Sequence, residues 1–244
     1  MSPLSQDGVR PLGLPRLHHR TIGSTNARAG ELAAAGAEHG TLVTSAEQTA
    51  GRGRQGRAWT APAGAALLAS YVLHDPPPLV TLAAGIAVAE VADALDAAGR
   101  RAAIKWPNDV LLDGRKVCGI LAEGRPQEGW AVLGIGINVA IAEDDFPPEL
   151  RSRATSLGLA PADVERVLER LTRALERWLV ADDAALLAAY RPRDALAGRT
   201  IAWEDGSGVA EGVADDGRLR VRVADGGEVL LDAGEVHLGA LPRA

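Results

Sequence analysis

The sequence holds a single cysteine, Cys118, so no disulfide can close within the chain, and the apolar run "KVCGILAE" around it marks a buried, inert thiol. Five histidines are scattered along it except for the adjacent pair His18 and His19, which reads as exposed loop. With so little sulfur and imidazole, no cluster has the spacing of a zinc or transition-metal centre. No apolar run approaches the roughly 18 residues that a membrane-crossing helix needs. The opening "MSPLSQDGVRPLGLPRLHHR" lacks the charged-then-apolar order of a secretion signal, so the expectation is a cytoplasmic protein with no membrane partner. Aromatic residues make up 3% of the chain and positive charge is short, with a formal net charge of −6. A global basic field that would hold a polyanion is therefore absent, which argues against a nucleic-acid-binding module. Neither a solenoid-length repeat nor a low-complexity tract is present. What remains is a chain of 244 residues, 47% of them hydrophobic, enough for one sizeable core and a small appended module.

Two scarce residue types are informative by where they fall. Of 26 basic residues only two are lysine, Lys105 and Lys116, and the only asparagines are Asn26, Asn108 and Asn138. They lie in the short stretches "GSTNA", "KWPND", "RKVCGIL" and "GIGINV". An ammonium and a guanidinium differ in reach, hydration and geometry, so a site built around an ammonium would keep lysine in an arginine-biased background.

In "GSTNARAGELAAAG", Ser24 and Thr25 are N-cap candidates before an alanine-rich helix ending near Gly36. "TLVTSAEQ" reads as a strand running into the loop "GRGRQGRAW", and "AALLASYVL" as a second, buried strand. "LVTLAAGIAVAEVADALDAAGR" has the spacing of a helix with one face on a sheet, stopped by Gly99. "AAIKWP", "DVLLDGRKVCGILAE" and "WAVLGIGINVAI" follow as a meander of antiparallel strands, the second folded on an Asp113–Gly114 turn. Helical periodicity returns in "PADVERVLERLTRALERWLVADDAALLAAYR". After Leu196 come short strands with glycine and aspartate turns, which predict a small separate β-barrel of about fifty residues. The fold class is thus α+β, with a catalytic domain over 1–195 and a C-terminal domain over 196–244.

Several stretches carry chemistry. Strict alternation puts Gly134, Gly136 and Asn138 on one face of a strand, leaving either a floor for a flat ligand or a place of tight packing. The same alternation puts Lys116 with Cys118 and Ile120, opposite Val117, Gly119 and Leu121. A lysine there either meets an anion or snorkels to water. Asp109 in "KWPND" is either a hard-oxygen ligand for Mg²⁺ or a turn residue. In "GRGRQGRAW", backbone N–H groups exposed by glycine and arginines that never lose their charge suit a phosphate or a polyphosphate leaving group. The loop lacks the lysine and hydroxyl of a Walker A motif, and the repetition of an RGG-type arm.

Taken together, "GRGRQGRAW", "KWPND", "KVCGIL" with Glu123, and "GIGIN" occur in the order and at the spacing of the biotin protein ligases, which the sequence resembles over residues 20–140. The resemblance implies a mixed-sheet catalytic domain related to class II aminoacyl-tRNA synthetases and shared with lipoate ligases, followed by an SH3-like barrel. The twenty residues before "GSTNA" are too few for the DNA-binding domain of some members, so the expectation is the monofunctional type, a monomer or homodimer. The resemblance also implies that biotin and ATP give biotinyl-5′-AMP and pyrophosphate, with Mg²⁺, and that biotin then passes to a lysine of the biotin carboxyl carrier domain of an acyl-CoA carboxylase. Its catalytic residues would be Lys116, Arg54 and Asp109, Asp109 also holding the metal and serving as base for the acceptor lysine. Biotin and its adenylate would contact Ser24, Thr25, Asn26, Gln48, Gly51, Arg52, Gly53, Arg54, Arg57, Trp59, Lys116, Gly119, Gly134 and Gly136. ATP would contact Arg52, Arg54, Arg57, Trp59, Lys105, Asn108, Asp109, Lys116 and Asn138. Gln55 stands where many members have arginine. A lipoate or octanoate ligase of the same fold is the alternative.

Overall fold

The computed structural model describes residues 11–125, 128–232 and 236–238. Seven strands form one mixed sheet: β1 (Arg16–His19), β2 (Leu42–Ser45), β3 (Ala66–His74), β4 (Ala102–Lys105), β5 (Asp109–Leu112), β6 (Arg115–Arg125) and β7 (Trp130–Asn138). Their order is β1-β2-β3-β7-β6-β5-β4, with β1 and β2 parallel and every other neighbour antiparallel. The expected meander is β4 to β7, and Asp113 and Gly114, at φ 48° and 74°, make its tight turn. β1 is where pattern reading fails. His18 and His19, expected in a loop, pair with Thr44 and Ser45 of β2, and His18 Nδ1 lies 3.0 Å from Thr44 Oγ1. Four residues at a sheet edge, three of them charged or polar, offer no apolar alternation to read.

Helices cover both faces. α1 (Thr25–Ala34) starts at Ser24, whose Oγ accepts from Ala27 N at 3.4 Å, and Gly36 at φ 87° follows its end. Its small residues Ala29 and Ala33 pack on Val43, Val72 and Val132, so the helix lies close to the sheet. On the opposite face α2 (Val80–Leu95) is buried between the sheet and α3 (Val164–Trp178). The stretch of helical periodicity after Pro161 is two helices. Asp182 accepts from Ala185 N at 2.7 Å and starts α4 (Asp183–Tyr190), a local cap overriding the long apolar period. α2 itself ends ahead of Gly99, where the Asp96 carboxylate takes the Arg100 N–H at 2.8 Å and its guanidinium at 2.6 Å.

The C-terminal strands β8 (Thr200–Trp203), β9 (Gly206–Val213), β10 (Leu219–Arg222), β11 (Glu228–Leu231) and β12 (His237–Leu238) form a second, antiparallel sheet ordered β11-β10-β9-β8-β12. The strands expected after Leu196 are present as this sheet, whose edges β11 and β12 share no ladder among the described residues. The end of the expected strand "EVHLGAL" lies outside them. Ile201, Val213, Leu219 and Val221 join the same apolar cluster as the large sheet. Ala195 N donates to Ile104 O at 2.9 Å, and the buried Trp106 donates through Nε1 to Gly217 O at 3.0 Å.

Candidate active site

On the α1 side of the large sheet lies a cavity of about 750 Å³. A break in strand regularity aims its central side chain. Val110 pairs with Cys118 and Leu111 with Lys116, so Val117 has no partner and β6 is bulged there. Alternation had put Lys116 with Cys118 and Ile120; the bulge corrects this. Val117, Cys118 and Ile120 are all buried in the core, while Lys116 turns onto the face of Gly119 and Leu121. A Cβ added at Gly119 would stand 3.1 Å from Lys116 Nζ. The backbone of Lys116 is fixed on both sides, its N–H donating to Arg153 O at 2.8 Å and its carbonyl accepting from Thr155 N at 2.9 Å. Burial pushes the Cys118 thiol far up, which leaves it inert as expected.

Lys116 Nζ is 2.6 Å from Asp109 Oδ1 and 5.6 Å from the centre of the Trp59 ring. The ammonium therefore meets a carboxylate, not water alone. Asp109 Oδ1 is buried and receives no aligned hydrogen bond, so the contact is an ion pair with acceptor capacity left over. Next to it Asn108 joins three elements. It donates Nδ2 to Ile120 O at 2.8 Å, accepts from Ile120 N at 2.9 Å through its carbonyl, and accepts from Arg54 Nη1 through Oδ1 at 3.3 Å.

The arginine-glycine loop is a small hairpin. Arg52 bridges Ala58, Gly53 N donates to Arg57 O at 2.7 Å, and Trp59 N donates to Gly51 O at 2.9 Å. Gln55 at φ 56° and Gly56 at φ 73° form its tip. The expected cradle of exposed backbone N–H groups is thus corrected at Gly53, Arg57 and Trp59, whose N–H groups bond within the loop. Arginine side chains carry its charge to the cavity instead. Gln55 accepts from Arg57 at 3.4 Å and does not line the cavity.

Of the two readings of Gly134 and Gly136, a ligand floor or tight packing, the structure has tight packing. Asn26 fills the space above Gly134, and the Trp59 indole lies on Gly136 and Gly119, where added Cβ atoms would stand 2.6 and 2.9 Å from it. These glycines admit the protein's own side chains. At the Asn26 end, Gln48 Oε1 accepts from Thr25 N at 2.7 Å and Thr25 Oγ1 at 3.0 Å. Buried Ser70 places its Oγ 2.8 Å from Thr25 Oγ1 and 2.6 Å from Asn26 Oδ1. Asn26 Nδ2 donates to Glu123 Oε2 at 2.9 Å, and Arg52 Nη2 reaches the same oxygen at 3.3 Å.

The fold thus gathers around one cavity every residue expected to contact biotin or ATP except Gly51. Gly51 packs against the Trp59 carbonyl and the Gln48 side chain, leaving no room for a Cβ. Asn138, expected to face a nucleotide, is buried and gives its Nδ2 to Thr155 O at 2.9 Å. Sequence reasoning missed Ser70 behind Thr25 and Asn26, and in the cavity lining the apolar wall of Ile141, Phe146 and Leu150, and His237 from β12. Ser70 sits inside an apolar strand pattern, and 143–154 has no period to read.

A mixed sheet carrying an arginine-glycine hairpin and a lysine–aspartate pair at one cavity defines the class: residues 19–139 match the Biotin/lipoate A/B protein ligase family. Within it, the chain is 39% identical over 234 residues to the biotin–[acetyl-CoA-carboxylase] ligase of Mycobacterium tuberculosis, covering 88% of this chain and 86% of that one. The Paracoccus denitrificans ligase of the same description is 36% identical over 240 residues, covering 88% and 97%. Among solved structures, the Aquifex aeolicus biotin protein ligase in complex with biotin and ATP superposes with a TM-score of 0.76 at 25% identity, covering 93% of this chain and 99% of that one. The chain belongs to the biotin protein ligases.

Proposed function

We propose that Lys116, Arg54 and Asp109 carry the chemistry by which this ligase joins biotin to ATP, giving biotinyl-5′-AMP and pyrophosphate, and then transfers biotin to a lysine of a biotin carboxyl carrier domain. The observation that carries this reading is the Lys116–Asp109 pair, 2.6 Å apart inside the cavity, with Arg54 tied to neighbouring Asn108. The biotin carboxylate is ionised at neutral pH and attacks the α-phosphorus of ATP without a base. The oxygen–phosphorus bond forms as the bond to the β-phosphate breaks, and the electron pair leaves with pyrophosphate. Two anions must meet, so the barrier is electrostatic, and Lys116 lowers it by donating to the carboxylate and to the forming acyl phosphate. Arg52, Arg54 and Arg57 face the phosphates, and Trp59 packs beside the adenylate after moving off its glycines. Lys105 and Asn138 stand at the nucleotide end.

Asp109 supplies one buried oxygen without an aligned hydrogen bond, and no cluster of three His, Cys, Asp or Glu exists among the described residues. That donor set fits Mg²⁺ held by one carboxylate and phosphate oxygens, where the ion would neutralise phosphate charge. In the second step the acceptor amine attacks the acyl carbon, AMP leaves, and Asp109 takes the amine's proton. The boundary at residue 196, closure of the second sheet as an SH3-like barrel, a cytoplasmic setting, a monomeric or homodimeric state and the absence of a nucleic-acid partner belong to the same reading. The net charge of −6 supports the last of these. Exchange of labelled pyrophosphate into ATP tests the activity without an acceptor. Exchange with biotin and not with lipoate or octanoate is expected; exchange with lipoate alone would overturn the ligand assignment.

A further inference from the structure

We infer that Glu123 is a positioning residue for the Asn26 end of the cavity: its Oε2 fixes the orientation of the Asn26 amide and holds Arg52 until an anionic ligand takes that guanidinium over. This rests on the reading of Asn26 and Arg52 as contacts of biotin and its adenylate. Glu123 lies two residues beyond Leu121 on β6, and so shares the cavity face that the Val117 bulge creates.

Asn26 is wedged above Gly134, with Ser70 Oγ 2.6 Å from its Oδ1. A hydroxyl can donate or accept, so Ser70 leaves the amide free to flip. The Leu121 carbonyl also accepts from Nδ2, but at 3.3 Å, a long contact. Glu123 decides the matter, because an ionised carboxylate only accepts, and its Oε2 is 2.9 Å from Nδ2. The orientation sets which groups the amide offers a ligand.

The same oxygen reaches Arg52 Nη2 at 3.3 Å, between side chains that are 49% and 41% exposed. So exposed a pair adds little stability. It does keep the guanidinium at the cavity mouth, in a contact that a ligand carboxylate or phosphate can replace with a shorter, bidentate one.

Pyrophosphate exchange by wild type, Glu123→Ala and Glu123→Gln, with KM measured for biotin and for ATP, tests both roles. Glu123→Ala is expected to raise the KM for biotin about tenfold, the worth of one charge-assisted hydrogen bond, with a smaller change in the KM for ATP, whose phosphates share only Arg52 with this end. Glu123→Gln keeps an oxygen for Asn26 and should hold the KM for biotin within about threefold of wild type. It also removes the charge that competes for Arg52, so it should release biotinyl-AMP about threefold more slowly. An unchanged KM for biotin in Glu123→Ala, a parallel rise in both KM values, or equal damage from Gln and Ala would overturn the positioning role. Release from Glu123→Gln as fast as from wild type would overturn the holding role. Wild type that exchanges no pyrophosphate with biotin would instead strike the activity reading itself.

Discussion

Lys116 keeps its ammonium in a chain that uses arginine for all but two of its 26 basic residues, and it does so 2.6 Å from a carboxylate in the cavity. A planar guanidinium would put a fork of donors where a single point charge now sits 2.6 Å from Asp109 and 5.6 Å from the centre of the Trp59 ring. Lys116→Ala is therefore expected to lower biotin-dependent pyrophosphate exchange by at least about a hundredfold, the scale for losing one preorganised donor to the transition state. Lys116→Arg should not restore it. The thermal midpoint should barely move, since the pair is partly exposed; a folded alanine variant with full exchange would remove Lys116 from the chemistry. Scarcity pointed to this residue, yet Ser70 shows the limit of that signal. A serine in an apolar strand looks like any half-polar position until α1 sets Asn26 against it.

At the scale of elements, the bulge and the helix ends decide most. Alternation along β6 was read correctly as strand and wrongly as face, because an unpaired Val117 leaves no mark in the sequence. α2 ends in a charged lock. Burial pushes the Asp96 carboxyl up, but the hydrogen bonds from Arg100 and the Ala98 backbone outweigh it, so Asp96 lies below the usual carboxylate range. A lowered folded value means stabilisation that is complete above the ordinary carboxylate value near about 4 and is lost as pH falls through the lowered one. Asp96→Asn should thus be less stable than wild type by about 1–3 kcal/mol at pH 6. In urea melts at successive pH values the gap should close below about pH 4; a gap that stays constant to pH 3 would mean the carboxylate charge contributes nothing.

For the molecule as a whole, the two sheets share one apolar cluster, and Trp106 in "KWPND" is hydrogen-bonded to the turn at Gly217. Buried residues on both sides of the expected boundary near Leu196 belong to that cluster. Urea unfolding followed by tryptophan emission and by far-ultraviolet circular dichroism should give coincident single transitions. Trp106→Phe, which leaves the Gly217 carbonyl unpaired, should shift both together by about 1–3 kcal/mol. Two separated transitions would show that the C-terminal sheet holds a core of its own.

The sequence by itself determined the strands of the meander, the helix starting at Ser24, the inert cysteine and the two lysines and three asparagines that line the cavity, because these follow from periodicity, capping and the placement of scarce polar types. Tertiary structure alone decided which way they point. The bulge put Lys116 on the cavity face, the packing of α1 put Asn26 over Gly134, and the hairpin laid Trp59 on Gly136. Each depends on a neighbour distant in the chain, and a local pattern holds no record of that neighbour.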